Sequence, residues 1–203
     1  CIKAENFQYS DLDRKKIRKM YSIPHDNKVL LYVGRLEKGK NVGYLLDILK
    51  CLQIDGNDSY TLIIVGDGSE RNNLETKAQG IEGVIFAGEI SNVAAYYSAS
   101  DFLCLPSFSE GFPIVLLEAQ SSGINCVITD NVTRAVAIND NIFFVGVQKD
   151  DMSKWVKIIT TVDKPSKKDR LNAKKCIFQH GYDSDTVASK ISVIYGTSEG
   201  GIC

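Results

Sequence analysis

This sequence of 203 residues has no large excess of either charge, few histidines and no long hydrophobic runs. Its 24 lysines and arginines nearly balance 25 acidic residues, which leaves a formal net charge of −1. Such a chain has no overall field that would attract nucleic acid or an anionic membrane, so any anion site must be local. No apolar run approaches the roughly 18 residues that a membrane-spanning helix needs. Apolar residues, at 44%, are abundant enough for the core of a globular domain.

Residues that commonly bind metals are also scarce. Only two histidines are present and no cysteines form a Cys-x-x-Cys pair, which argues against a zinc site. Neither His25 nor His180 has the sequence context of a serine or cysteine nucleophile, so neither is given a role. The cysteines include Cys104 and Cys126 within apolar runs, where a free thiol packs as a small hydrophobe. We therefore expect reduced thiols and a cytoplasmic protein.

Short apolar runs alternate with longer amphipathic stretches along the chain. This pattern is typical of a parallel sheet that helices cover on both faces. It predicts an α/β fold, namely a Rossmann-like, doubly wound, six-stranded parallel sheet with extra helices at the C-terminal end. The predicted strands are 29–33, 60–65, 84–87, 102–105, 126–128 and 142–145. The predicted helices are 42–52, a helix capped near Ser69 that ends at 77, 92–99, 113–121, 152–162, 167–179 and 185–195.

A basic loop follows the first predicted strand. Ligands of such sheets bind outside the carboxyl ends of the strands. The binding site is therefore predicted in the segments that follow the strands, namely 34–41, 66–69, 88–91 and 106–113. In the first segment Arg35 and Lys40 follow Gly34, and a guanidinium together with an ammonium can neutralise a diphosphate. A solvated basic loop accounts for the same residues equally well.

A second candidate group spans 109–119. Glu118 follows four apolar residues on a predicted helix, and a buried carboxylate requires hydrogen-bond donors. Sugar hydroxyls could supply them, as ribose does for the acidic residue of dinucleotide folds; an internal ion pair is the alternative. Gly111 and Phe112 precede the helix that Pro113 opens, so their N–H groups can face an anion. Glu110 lies at the mouth of the same loop.

Two glycines, Gly66 and Gly68, follow the second predicted strand. They lack the third glycine of a dinucleotide-binding fingerprint, which normally follows the first strand. A tight turn before a helix explains them as well. In either case the turn would line the cleft.

Four motifs occur in order along the chain: GRL-x-x-x-K-N at 34–41, VGDG at 65–68, F-x-G at 86–88 and EGFP-x-x-x-x-EA at 110–119. In order and spacing they resemble the family-4 glycosyltransferases of GT-B fold, over residues 7–196. Glu110 and Glu118, with seven residues between them, are similar to the E-x7-E signature of that family. Segments 118–130 and 150–158 resemble the branch that builds capsular and exopolysaccharides. That branch usually has an acidic residue where this chain has Ala135.

The resemblance implies the second half of a GT-B enzyme. Residues 1–27 would be the lead-in from an N-terminal acceptor domain that this chain lacks, 28–196 the nucleotide-sugar-binding domain, and 197–203 a flexible tail. The implied enzyme is a retaining glycosyltransferase whose donor is a nucleotide sugar, with UDP-sugars usual in this branch. A saccharide or lipid-linked acceptor would bind through the missing domain, so this chain alone would be inactive. The complete protein could associate peripherally with the inner face of the membrane.

The resemblance also implies a role for each site residue. Arg35 and Lys40 would hold the diphosphate and stabilise the leaving β-phosphate, Glu110 would contact the transferred sugar, and Glu118 the ribose. No metal and no other cofactor is implied, because these cations and the loop amides supply the positive charge. The remaining donor-binding residues would be Gly34, Gly66, Gly68, Gly88, Glu89, Ile90, Gly111, Phe112 and Pro113.

Two alternatives stay open at this point. A sugar-nucleotide epimerase or a phosphorylase can share the fold, although the spacing of Glu110 and Glu118 argues against both. A non-catalytic nucleotide-binding or interaction module with a degenerate site is the other alternative, and Ala135 favours it. The joint presence of Arg35, Lys40, Glu110 and Glu118 favours the enzyme.

Overall fold

A computed structural model describes residues 1–54 and 59–194 of the chain. Within these ranges six strands form one all-parallel sheet in the order β3-β2-β1-β4-β5-β6. This confirms the predicted Rossmann-like α/β fold. The predicted tail 197–203 and the last residue of the predicted helix 185–195 lie outside the described residues. The strands are β1 Lys28–Val33, β2 Tyr60–Val65, β3 Val84–Gly88, β4 Phe102–Leu105, β5 Asn125–Thr129 and β6 Ile142–Val145.

The helices mostly follow the predicted segments. They are α1 Asp11–Met20, α2 Gly43–Leu52, α3 Arg71–Lys77, α4 Val93–Ala99, α5 Ile114–Ser122, α6 Met152–Thr161, α7 Lys167–Asn172, α8 Lys174–Gln179 and α9 Ser184–Ile194.

Helix α1 is not among the predicted helices, and several boundaries of the other elements differ from the sequence prediction. The predicted helix 167–179 is divided into α7 and α8 at Ala173, where hydrogen bonds between residues three apart tighten the chain. Helix α5 begins one residue after Pro113, because Pro113 has an extended ψ of 106°. Helix α3 begins at Arg71 and has no side-chain cap, whereas the sequence predicts a cap near Ser69.

The strand order reverses beside β1. From β1 the chain proceeds outward through β2 and β3, then returns to pair β4 against the other side of β1. The loops that leave β1 and β4 therefore diverge, and ligands of doubly wound sheets bind in the crevice between such loops. Both candidate segments of the sequence, 34–41 and 106–113, leave the sheet at this point.

The side chains of the central strands are buried on both faces of the sheet. Leu30 of β1 and Ile63 of β2 are fully buried, as is Trp155 of α6 on one face. Cys104 and Cys126 are buried free thiols, and burial raises the pKa of each far above its usual range. Both cysteines therefore act as packing residues, as the sequence predicts.

A buried charge cluster joins the N-terminal segment to the sheet. Asp101, 1% exposed, accepts hydrogen bonds from Arg14 (2.8 Å) and Arg18 (2.9 Å) of α1 and from the Val29 amide of β1 (2.9 Å). A buried carboxylate is stable when opposite charges and donors surround it, as they do here. Helix α1 is thereby fixed against the sheet and α4.

A second buried cation holds the end of α4. Arg170 of α7 is buried and donates to the carbonyl oxygens of Tyr97 (2.8 Å), Ser100 (3.0 Å) and Ser122 (3.1 Å). A cation suits the carboxyl end of a helix, where carbonyl groups lack partners and the helix dipole is negative. Burial lowers the pKa of Arg170 to about 9, so its guanidinium is still charged at neutral pH. This contact ties α4 to the ends of α5 and α7.

Candidate functional site

A cleft of about 270 Å³ opens between the loops that follow β1 and β4. Tyr32 and Leu105 from the strands and Ile114 and Val115 from α5 contribute to its lining. The structure thus brings both candidate segments of the sequence together at one place. Six predicted site residues line the cleft: Gly34, Arg35, Lys40, Glu110, Phe112 and Pro113.

An ion pair lies in this cleft. Lys40 Nζ is 2.8 Å from Glu110 Oε1, and Ser107 Oγ donates a 2.7 Å hydrogen bond to the same oxygen. The side chains of Lys40 and Glu110 are 25% and 14% exposed, so water screens this pair less than a surface pair. The pair places a cation and a hydrogen-bond acceptor side by side.

Arg35 lies at the solvent side of the cleft. Its side chain is exposed and pairs with Glu37 at 2.8 Å. Its carbonyl oxygen accepts a 2.9 Å hydrogen bond from the hydroxyl of Tyr32, a buried residue. The backbone of Arg35 is therefore fixed, while its guanidinium has room to reach an anion in the cleft.

Glycine turns pack backbone to backbone beside the cleft. Gly66 adopts a φ of +126°, and a Cβ at this position would overlap the carbonyl oxygen of Gly34. A Cβ on Gly68 would lie 2.5 Å from the carbonyl oxygen of Leu36. Glycine permits this approach because it has no Cβ and tolerates positive φ. The 66–68 turn therefore supports the loop after β1 and borders the cleft through it, rather than lining it directly.

The end of β3 continues the same edge of the sheet. The Gly66 amide donates a 2.8 Å hydrogen bond to the Gly88 carbonyl oxygen, which joins the ends of β2 and β3. Glu89 is exposed, and Ile90 packs partly buried against the core. None of Gly88, Glu89 and Ile90 lines the cleft, and their expected role toward a nucleotide base stays a prediction.

Helix α5 starts at the wall of the cleft. The helix begins at Ile114, and the residues of this segment that line the cleft are Phe112, Pro113, Ile114 and Val115. Gly111 precedes them and is exposed. The first amide groups of a helix lack intrahelical partners and carry partial positive charge. This wall of the cleft therefore suits negative charge.

Glu118 lies one turn further along α5 and is not part of the cleft lining. Its Oε2 accepts a 2.7 Å hydrogen bond from the hydroxyl of Tyr97 on α4. Partial burial raises the pKa of Glu118, and the hydrogen bond from Tyr97 lowers it in part. The alternative that the sequence leaves open, an ion pair for Glu118, does not occur among the described residues.

Ala135, at the position where the sequence resemblance leads us to expect an acid, belongs to a 3₁₀ turn at Arg134–Val136. Its carbonyl oxygen accepts a 3.4 Å hydrogen bond from the Tyr182 hydroxyl. The Tyr182 ring in turn stacks on Phe112, with ring centroids 5.6 Å apart. Position 135 is therefore separated from the cleft wall by one aromatic side chain.

Three side chains that organise this site are not predicted from the sequence. Ser107 bonds Glu110, Tyr32 fixes the loop after β1, and Tyr97 bonds Glu118. The two tyrosines lie within a predicted strand and a predicted helix, where a tyrosine looks like any packing residue. The position of Ser107 does allow a prediction, because a serine three residues before a loop glutamate can donate a hydrogen bond to its carboxylate.

A larger cavity, of about 500 Å³, lies near the amino ends of β5 and β6, away from the cleft. Its polar lining includes Asn139, Asp140, Asn141 and Asp169, with no lysine or arginine. Such a lining offers no cation to a diphosphate. The smaller cleft is therefore the better candidate for an anionic ligand.

Residues 1–54 and 59–194 contain neither a helix that could span a membrane nor a cluster of side chains that could hold a metal ion. Every helix in these ranges is too short or too polar to cross a membrane. No three histidine, cysteine, aspartate or glutamate side chains in the same ranges are grouped so that they could hold a metal ion.

An all-parallel, six-stranded Rossmann-like sheet with a cleft at its switch point is the architecture of the GT-B glycosyltransferases. Residues 13–175 match the family model described as glycosyl transferases group 1. The chain belongs to this family.

Curated relatives are bacterial glycosyltransferases. The chain is 34% identical to the putative teichuronic acid biosynthesis glycosyltransferase TuaC of Bacillus subtilis over 131 residues, which are 64% of this chain and 31% of TuaC. It is 27% identical to the putative glycosyltransferase EpsF of the same organism over 198 residues, 96% of this chain and 50% of EpsF. The chain thus spans a third to a half of the length of these relatives.

Solved structures share the fold. Anabaena HepE matches with a TM-score of 0.75 and 22% identity, over 97% of this chain and 56% of HepE. The C-terminal domain of LpcC from Francisella tularensis matches with a TM-score of 0.66 and 22% identity, over 94% of this chain and 98% of that domain. The chain therefore has the fold of a GT-B C-terminal domain.

Proposed function

We propose that this chain forms the donor-binding half of a retaining glycosyltransferase whose donor is a nucleotide sugar, with a UDP-sugar as the first candidate. One observation carries the proposal: Arg35, Lys40, Glu110 and the start of α5 line a single cleft at the switch point of the sheet. The complete enzyme would transfer the sugar to a saccharide or lipid-linked acceptor in capsular or exopolysaccharide synthesis.

The diphosphate would bind where cations and amide groups converge. Arg35 can form a bidentate contact with phosphate oxygens, Lys40 adds a compact charge, and the first amides of α5 add partial charge. Negative charge grows on the departing phosphate as its bond to the sugar breaks. Preorganised groups of this kind each stabilise such charge by about 3 kcal/mol. Because these groups belong to the chain itself, we expect catalysis without a bound metal.

The transferred sugar would lie beside Glu110. Lys40 and Ser107 contact Glu110 Oε1, and no donor among residues 1–54 and 59–194 bonds the other carboxylate oxygen, which can therefore accept a hydrogen bond from a sugar hydroxyl. When Lys40 turns to the diphosphate, the Glu110 carboxylate would no longer be paired with Lys40 and would lie beside a transition state that resembles an oxocarbenium ion. Retention of configuration rests on the resemblance to the E-x7-E enzymes.

Named relatives support this assignment. HepE has been solved with UDP, with UDP-glucose, and with UDP and glucose together. TuaC is named for teichuronic acid biosynthesis, and AmsD of Erwinia amylovora for amylovoran biosynthesis. Because the chain covers at most half of TuaC and EpsF, we propose that the acceptor binds mainly to a region that this chain does not include.

Calorimetric titration with UDP, GDP and ADP tests the donor site. We expect one of them, UDP first, to bind with a micromolar to millimolar Kd. Arg35→Ala or Lys40→Ala should weaken that binding about tenfold, the size of one hydrogen bond between charged groups. Lys38→Ala is the matched control, because Lys38 carries the same charge in the same loop but does not line the cleft.

The possible results separate the hypotheses. If the unaltered chain binds none of the three nucleotides, it has no donor site. If it binds one of them and Lys38→Ala weakens binding as much as Lys40→Ala does, charge alone is responsible and the cleft is not the site. The alternative of a non-catalytic module with a degenerate site, which Ala135 favours, would give one of these two results if the module no longer binds nucleotides in this cleft.

Release of UDP from UDP-sugars tests the half-enzyme part of the proposal. We expect the chain alone to release no UDP above the rate in buffer, because the acceptor would bind mainly to a region that this chain does not include. Sustained release of UDP or sugar transfer by the chain alone would contradict the half-enzyme part of the proposal, but it would not contradict the donor site.

A further inference from the structure

The hydroxyl of Tyr97 is a buried polar group that is held in place from two sides. Tyr97 is fully buried, and its ring packs edge-on against Phe7, with centroids 6.1 Å apart. Its carbonyl oxygen accepts a 2.8 Å hydrogen bond from Arg170. Ring and backbone are thus both fixed, so the position of the hydroxyl is set by the fold and not by solvent.

That hydroxyl has one proton to donate and two acceptors within reach. Glu118 Oε2 is 2.7 Å away and the Val115 carbonyl oxygen is 3.3 Å away. The carboxylate is the stronger acceptor, since charge-assisted hydrogen bonds are shorter and stronger than neutral ones. Burial raises the pKa of Tyr97 well above its ordinary value, which keeps the proton on the phenol. Glu118 therefore receives this hydrogen bond when it is ionised.

The second oxygen of Glu118 stays available to a ligand. No donor in the described part of the chain bonds Glu118 Oε1. Since Tyr97 belongs to α4 and Glu118 to α5, the hydrogen bond fixes the carboxylate relative to two helices at once. A carboxylate fixed in this way is preorganised to accept hydrogen bonds from a ligand, and loses little side-chain entropy when it does.

We propose that Tyr97 is a positioning residue that directs the Glu118 carboxylate toward the ribose hydroxyls of the nucleotide donor. This inference rests on the proposed function, in which Glu118 contacts the ribose. Its effect is selective. Loss of the phenol oxygen weakens recognition of the ribose hydroxyls, whereas the diphosphate contacts of Arg35 and Lys40 are unchanged.

Tyr97→Phe removes the hydroxyl and keeps the buried ring, so it tests this role directly. Calorimetry compares UDP with 2′-deoxy-UDP. We expect the unaltered chain to prefer UDP about tenfold, the size of one charge-assisted hydrogen bond. Tyr97→Phe should reduce the preference below about threefold and leave the affinity for 2′-deoxy-UDP within about twofold.

Tyr96→Phe is the matched control. Tyr96 is the preceding residue of α4 and is also buried, but its hydroxyl bonds that of Tyr21 at 3.0 Å and does not contact Glu118. This variant should keep the preference of the unaltered chain for UDP. Loss of the preference in Tyr96→Phe as well would show a general loosening of α4 and overturn the specific role of Tyr97.

Other results would also overturn the proposal. Tyr97→Phe could weaken both nucleotides equally, which is the sign of a merely structural role, or could keep the full preference. The unaltered chain could bind UDP without preferring it to 2′-deoxy-UDP, which would refute the ribose contact and leave the donor site standing. If the unaltered chain bound no nucleotide, the proposed function would fail and this inference with it.

A second measurement needs no substitution, and so does not depend on the folding of a variant. The buried Tyr97 hydroxyl proton should exchange slowly enough to be seen by NMR. At saturation its resonance should move with UDP and move less than half as far with 2′-deoxy-UDP. An equal response to both nucleotides, or no response to either, would overturn the proposal.

Discussion

Replacing Glu110 by glutamine should tighten the binding of UDP, although Glu110 itself belongs to the proposed site. Glu110 Oε1 lies 2.8 Å from Lys40 Nζ. The carboxylate therefore competes with a phosphate for the same ammonium group. Glutamine keeps the size of the side chain and an oxygen for the Ser107 hydroxyl, but it removes the charge that competes.

The magnitude follows from the geometry of the pair. Over 2.8 Å, Coulomb attraction at an effective dielectric constant of about 20 amounts to about 6 kcal/mol. Desolvation of two partly buried side chains cancels most of this, which leaves a net coupling of about 1–2 kcal/mol. Recovery of about 1 kcal/mol by Lys40 on binding UDP corresponds to a Kd about fivefold lower. For UDP-glucose, the lost contact between Glu110 and the sugar offsets most of the gain.

Calorimetry at one low ionic strength gives both Kd values, because screening by salt would reduce the difference. The Lys40→Ala background is the control, because it has no ammonium group for which the carboxylate and the phosphate could compete. There, Glu110→Gln should change the affinity for UDP by less than about 1.5-fold. Weaker binding of UDP by Glu110→Gln, or the same gain with and without Lys40, would refute the competition between carboxylate and phosphate.

Three further predictions concern stability, and urea unfolding measures each of them. Asp101→Asn should lower the free energy of unfolding by about 3–5 kcal/mol, because it leaves two largely buried arginines without their counter-charge. Asp11→Asn should change the free energy of unfolding far less than Asp101→Asn does, because the Asp11 side chain is 40% exposed and its ion pair with Lys15 lies in solvent. An equal loss in both variants would contradict the role of burial. Gly66→Ala should lower the free energy of unfolding by more than about 2 kcal/mol, because Gly66 has a positive φ and a Cβ there overlaps the backbone of Gly34. Gly39→Ala is its control and should leave the free energy of unfolding unchanged, because a Cβ at Gly39 meets open space. Burial raises the folded-state pKa of Glu118, so its ionised form lowers stability above that pKa, and this loss disappears as the pH falls toward the ordinary value of 4.5. Glu118→Gln should therefore stabilise the chain at pH 7 and lose this advantage in acid; an advantage independent of pH would contradict the assignment.

The fold could be predicted because its strands are specified locally. The segment 60–65 is apolar at most positions, and β2 is buried at every position, as a central parallel strand requires. The boundaries that the sequence does not predict depend on contacts and backbone angles that a local sequence pattern does not determine. The break at Ala173 depends on how the chain tightens beside a buried arginine, and the start of α5 depends on the ψ of Pro113, which the ring does not fix.

The site could be predicted in part. Arg35, Lys40 and Glu110 share a cleft because parallel strands place the loops after β1 and β4 at one edge of the sheet. The ion pair between Lys40 and Glu110 could not be predicted from the sequence, since it joins side chains 70 positions apart. The bond from Tyr97 to Glu118 was not visible either, because it depends on how α4 packs against α5. Glu118 lies beside the cleft and not in its wall, so its contact with a ligand stays a prediction.

Titration of the isotope-labelled chain with UDP, followed through its backbone amide signals, tests directly whether a nucleotide occupies the cleft between the β1 and β4 loops. We predict that the largest shifts occur in 34–40 and 110–115, which line or adjoin that cleft. The amides of 138–141, beside the larger cavity, should not respond. Shifts centred on 138–141, or no shifts at millimolar UDP, would contradict the assignment of this cleft as the donor site.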